Sequence, residues 1–183
     1  MSDSISFRPS KYSNWRVSDD AQPLHVPWRW PLDMLAGREP LVLGERVNGE
    51  RMAVDLGYEP RHYDAQLFVP VFAAQAGEVA LAGESPSGFC LTIDHGHREW
   101  ATHYAHLSRM FVAPYMGQKK RRRQRVYAGE VIGYAAKSPI HVRFELWNWT
   151  DDRGFVPVDP IATMASWGLT RPRSAELAQR EAA

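Results

Sequence analysis

The chain has 183 residues, 44% of them hydrophobic and 23% charged, which is ordinary for one soluble globular domain with a sizeable core. A single cysteine, Cys90, excludes an internal disulfide framework and fits a reducing compartment. The net charge of +1 hides one cluster: without the six cations Lys119, Lys120, Arg121, Arg122, Arg123 and Arg125, 16 basic residues face 21 acidic ones, so the basicity is local.

Residues 1–27 are polar with scattered aromatics. They read as an extended arm whose Phe7, Tyr12 and Trp15 can dock on the body. No basic or apolar leader pattern opens the chain, and the longest apolar stretch, residues 67–74, is too short for a bilayer and contains Pro70. The expectation is a protein that starts in the cytoplasm and has no transmembrane segment. Trp28 to Leu32 begins the globular part.

From about residue 40 to 160 the pattern is short strands and turns, with 13 glycines and 13 prolines as punctuation. Phe68 to Phe72 is strand-like, and Pro70 places it at an edge or a strand start. Gly77 to Leu81 follows. In Gly88 to Asp94, Phe89, Leu91 and Ile93 face one side. Ala101 to Leu107 is another strand, in which alternation puts Tyr104 and His106 on one face and turns His103 away. Gly129 to Tyr134 reads as a turn into a strand. His141 to Trp147 alternates without a break: Val142, Phe144 and Leu146 face the core, and His141, Arg143 and Glu145 share the other face. His62, His95, His97 and His103 read as loop or opposite-face residues. Pro160 to Met164 suggests a short helical turn. Ser174 to Ala183 has helix-favouring composition, with Ser174 as a possible N-cap.

Four segments together carry chemistry. They are Arg51-Met52-Ala53-Val54-Asp55, Tyr104-Ala105-His106-Leu107-Ser108, Gly129-Glu130-Val131-Ile132-Gly133 and His141-Val142-Arg143-Phe144-Glu145-Leu146, followed by Val156 to Pro160. In this order the chain resembles the lysostaphin-type (LytM domain) zinc metallopeptidases, which cut peptides of peptidoglycan; the resemblance covers about residues 45–160. It implies a mainly β fold, an antiparallel sheet domain of the duplicated hybrid motif type, over residues 28–165 with a basic insertion at 113–127. Residues 166–183 form a tail or short terminal helix.

The resemblance also implies a site. In the family, zinc is held by the His and Asp of H-x-x-x-D and by the second His of H-x-H. Here those positions are Arg51, Asp55 and Arg143, so Asp55 is the one retained metal-ligand position. His106 and His141 match the two histidines that assist catalysis. Arginine has no lone pair to give and stays protonated, so it cannot replace imidazole. The expectation is that Arg51 and Arg143 form ion pairs with Asp55 where the metal would sit, making a set with Tyr104 that holds an anionic group rather than zinc. A rebuilt zinc site on Asp55, His106 and His141 is the alternative; Glu145 is about 13 Å along the strand from His141 and a poor ligand. The stretch Ala135 to Ile140 is shorter than the family's glycine-rich loop, which trims the groove wall.

Three functions follow as expectations. The first is a degenerate peptidase fold without cofactor, binding a cell-wall peptide or a protein partner, conceivably delivered to the wall within an assembly. The second is an active cell-wall metallopeptidase with a rebuilt zinc site. The third is a polyanion binder acting through Lys119, Lys120, Arg121, Arg122, Arg123 and Arg125, marked by strong salt dependence.

Overall fold

The structure is a computed structural model that describes residues 28–35, 37–48, 51–59, 67–96, 100–116, 123–137 and 140–175; the side chains of 46–48, 51 and 137 also fall outside the description. The expected arm of residues 1–27 lies outside the described residues.

The unbroken alternation from His141 to Trp147 forms most of β9 (Ile140–Thr150). Val142, Phe144 and Leu146 are all at 0% exposure, as a period of two requires when one face meets the core. β9 is the hub of the sheet. On one side it pairs antiparallel with β2 (Arg51–Gly57), through Asp55 opposite Arg143 and Gly57 opposite His141, and then with β10 (Gly154–Val158). On its other side it pairs with β6 (Trp100–Met110), from Trp100 opposite Asn148 to Ala105 opposite Arg143. Beyond that point β8 (Val131–Lys137) takes over, with Ala136 opposite His141. Gly57 is needed at this crossing. A Cβ there would lie 2.2 Å from the Ile140 carbonyl and 2.5 Å from Leu43 Cδ1, so only glycine lets β2 close on β9 beside His141.

The remaining strands extend this frame. β1 (Leu41–Asn48) pairs with β2 and, in parallel, with the two-residue β11 (Arg173–Ser174). β3 (Pro70–Phe72) pairs with β8, and Pro70 opens it, as an edge proline should. β4 (Gly77–Ser85), β5 (Gly88–Asp94) and β7 (Arg125–Val126) complete the order β11-β1-β2-β9-β8-β6-β5-β4-β7. Every pairing except β1 with β11 is antiparallel, so the mainly antiparallel β class read from the sequence is the one observed. β5 is covered more fully than its alternation suggests: Leu91 and Ile93 are buried on one face, and Cys90 and Thr92 are buried as well. Burial pushes the Cys90 thiol pKa up, which leaves it a poor nucleophile.

The helical turn after β10 is α1 (Pro160–Ser166), started by Asp159, whose carboxylate accepts from the Ile161 and Ala162 amides at 2.8 and 3.1 Å. Ile161 and Met164 bury its inner face. Residues 28–32 pack on the sheet, with the Arg29 amide donating to the Ala74 carbonyl and the Phe72 amide to the Pro31 carbonyl. The tail does more than trail: Arg173 and Ser174 close the β1 edge, and of the helix expected over Ser174 to Ala183 all but the first two residues lie outside the described residues. Among the described residues no helix is long and apolar enough to cross a membrane.

Candidate functional site

The site forms where the sheet forks. β6 leaves β9 after Ala105 and joins β8 at Leu107. The register between β5 and β6 slips over the same stretch, so that two residues of β5 span three of β6. This is a bulge, and the residue it leaves over is His106, at φ 62° in the left-handed region that a non-glycine residue rarely adopts. The bulge swings the imidazole across the sheet, where His106 Nδ1 meets His141 Nε2 at 2.6 Å. One of the two nitrogens must be the donor, so a single proton lies between the rings. Their ring planes cross at 75° with centroids 4.8 Å apart.

The same bulge corrects two sequence expectations. Tyr104 and His106 do not share a face. Tyr104 lies opposite Phe144 and is fully buried on the core side, its hydroxyl accepting from the Ala74 amide at 2.8 Å and from the Thr102 hydroxyl at 3.1 Å. It is therefore buried away from the face that carries His141 and Arg143. His103, expected to point away, lies on the face of His141 and Arg143, since it stands opposite Glu145. There it accompanies a polar row: His103 Nδ1 is 2.9 Å from the Thr92 hydroxyl, the His103 ring stacks on Trp147 at 5.9 Å, and Trp147 Nε1 donates to Glu145 at 2.9 Å. His95 is a loop residue as expected, bonded to the Ala76 carbonyl and the Thr102 hydroxyl and packed edge-on to Trp28. His62 and His97 lie outside the described residues.

Arg143, one strand pleat from His141, stands opposite Asp55 in the ladder. Its Nε donates to Asp55 Oδ1 at 2.8 Å and its Nη2 to Oδ2 at 3.2 Å, a bidentate fork on a carboxylate that is 11% exposed. The ion pair expected between Arg143 and Asp55 is therefore present. Arg51 opens β2, and its side chain falls outside the described residues.

These residues do not fit a zinc ion. A catalytic zinc needs three lone-pair donors and an open position. Here both oxygens of Asp55 accept from a guanidinium, a permanent cation with no lone pair. Among the described residues no three histidine, cysteine, aspartate or glutamate side chains converge.

Two of the six cations of the basic segment fall among the described residues. Arg123 pairs with Asp94 at 3.3 Å, and Arg125 stands 3.8 Å from Glu78. Arg125 and Val126 form β7 on the edge of β4, and Tyr115 exchanges backbone hydrogen bonds with Ala82. Both ends of the insertion are thus tied to the sheet, with Arg123 and Arg125 at its returning end. Lys119, Lys120, Arg121 and Arg122 lie outside the described residues.

One pH effect follows from the core behind the site. Burial pushes the Tyr104 phenol from 10.0 up to about 12. Between these values the folded protein keeps a proton that the unfolded chain releases. The stabilisation is therefore intact below pH 10 and is lost as pH rises toward 12, by about 2 kcal/mol. Urea unfolding across this range should show the decline in the wild type and a flatter profile in Tyr104→Phe; equal slopes would place the alkaline loss elsewhere.

The sequence model described as peptidase family M23 matches residues 61–160. No curated protein matches the chain. Among solved structures, a zinc-containing peptidase from Vibrio cholerae is 22% identical with a TM-score of 0.47, covering 71% of this chain and 37% of that one. The antimicrobial peptidase lysostaphin from Staphylococcus simulans is 22% identical with a TM-score of 0.45, covering 63% and 44%. A complex of SpoIIIAH and SpoIIQ is 20% identical with a TM-score of 0.49, covering 74% and 99%. The chain thus spans less than half of either peptidase.

Proposed function

The chain belongs to peptidase family M23, and from that premise we propose that it uses the family's scaffold to bind rather than to cut. In this reading it is a zinc-free module that holds a cell-wall peptide or a protein partner in the cleft formed by Asp55, Arg143, His141 and His106. The observation that carries the reading is the Arg143 fork on Asp55: the retained ligand position already has both oxygens engaged by a cation. A guanidinium supplies the positive charge that a metal would bring to this carboxylate, but it has no exchangeable position at which to activate water. The hairpin from Lys137 to Ile140 supports the same reading, since it leaves only residues 138–139 between β8 and β9.

The test is a joint one. Zinc per chain is measured on protein purified without chelator, and the same protein is incubated with peptidoglycan with and without chelator. The expected outcome is zinc well below one per chain and no chelator-sensitive release of peptides. Stoichiometric zinc with chelator-sensitive release would establish the rebuilt metallopeptidase instead.

A further inference from the structure

We propose that the outer edge of the Arg143 guanidinium is a receptor for a carboxylate carried by whatever occupies the cleft; this rests on the zinc-free reading above and names the chemical group that the cleft takes. A guanidinium has two edges that can each grip an oxyanion, one formed by Nε and one Nη, the other by the two Nη atoms. Asp55 takes the first, through Nε and Nη2. Among the described residues Asp55 is the one hydrogen-bond and ion-pair partner of Arg143, so the edge carrying Nη1 is uncommitted. That edge is also reachable. The Arg143 side chain is 22% exposed against 11% for Asp55, and Nη1 is not among the buried polar atoms without a partner.

The geometry makes the edge selective. Asp55 fixes the guanidinium before any ligand arrives, so little rotamer freedom remains to be lost on binding. The Asp55 carboxylate offsets the Arg143 charge, so shape and hydrogen bonding carry the discrimination. A planar carboxylate presents two acceptors to two N–H donors. A carboxamide presents an NH2 group to one of them and loses that bond. A phosphate dianion brings a second negative charge close to Asp55. The His106 and His141 pair lies one pleat along β9, about 7 Å away by strand geometry, and forms the next polar surface that the ligand meets.

The test uses full-length protein and three probes: N-acetyl-glycylglycine, its C-terminal amide and inorganic phosphate. Nitrogen-15 spectra of arginine side chains report the contact, and Arg143→Lys identifies the signal and removes the fork while keeping the charge beside Asp55. The expected result is that the free acid shifts the Arg143 signal, binds at least about tenfold more tightly than the amide, and loses that advantage in Arg143→Lys. Equal binding of acid and amide, tighter binding of phosphate, or acid binding unchanged in Arg143→Lys would overturn the assignment. If Arg143→Lys does not fold, the three wild-type titrations decide. Zinc is measured on the same sample: stoichiometric zinc overturns the zinc-free reading itself, whereas zinc-free protein that ignores the acid overturns the carboxylate assignment alone.

Discussion

Arg143→Met is expected to lower the unfolding free energy by about 3 kcal/mol, and Asp55→Asn on top of it to restore most of that loss. Asp55 is 11% exposed and sits opposite Arg143 in the β2 to β9 ladder, with both oxygens accepting from the guanidinium. Removing the cation takes away the fork that holds both oxygens of a nearly buried carboxylate, and the cost of weakening the compensation of that desolvated charge exceeds the net worth of the intact pair. Methionine fills much of the arginine stem's volume, so the packing part of the loss is small. The neutral amide of asparagine removes the stranded charge. Denaturant unfolding of the wild type, both single variants and the double variant gives the coupling energy directly, with about 2 kcal/mol expected. A loss below about 0.5 kcal/mol in Arg143→Met would mean that groups other than Arg143 satisfy Asp55, and the case for the arginine as the metal's replacement would fall with it.

Much of this was legible in the sequence for a specific reason. The alternation from His141 to Trp147 fixes which side of β9 is core, and it holds residue by residue because the strand runs without a bulge through that stretch. The meeting of Asp55 with Arg143 and of His106 with His141 followed from the motif positions. What could not be read was the bulge in β6. Period-two counting assigns His106 to the face of Tyr104, and nothing in the letters Tyr-Ala-His-Leu shows that the histidine takes a positive φ. That conformation is imposed from outside, by β8 entering the sheet between the ends of β6 and β9. The polar row of His103, Glu145 and Trp147 was missed for the same reason. The basic run hides its partners in another way. Composition cannot show that Arg123 returns to Asp94 and Arg125 to Glu78, because those partners lie 29 and 47 positions earlier in the chain.

The double replacement Arg51→His and Arg143→His is expected to bind about one zinc per chain, and Arg143→His alone to bind it about 10- to 100-fold more weakly. An imidazole at position 143 would stand opposite Asp55 in the existing register, so these two donors are already on neighbouring strands of one face. The third donor has a structural consequence. β2 begins at Arg51, and Asp55 lies four positions further along it, a span of about 13 Å that no single zinc can bridge with the strand fully extended. A zinc ion held by both positions must therefore peel the start of β2 away from β1, where Val47 pairs with Met52 and Asn48 with Arg51. Zinc binding to the double variant should thus appear twice: as metal measured in the protein, and as lost hydrogen-exchange protection at Met52 and Ala53, with Val54 to Gly57 unchanged. Stoichiometric zinc without that loss would show that the ligands are His106 and His141 with Asp55 rather than the two introduced histidines. Failure of the double variant to take up zinc at all would mean that the strand pairing of β2 has closed the site to metal independently of the two arginines.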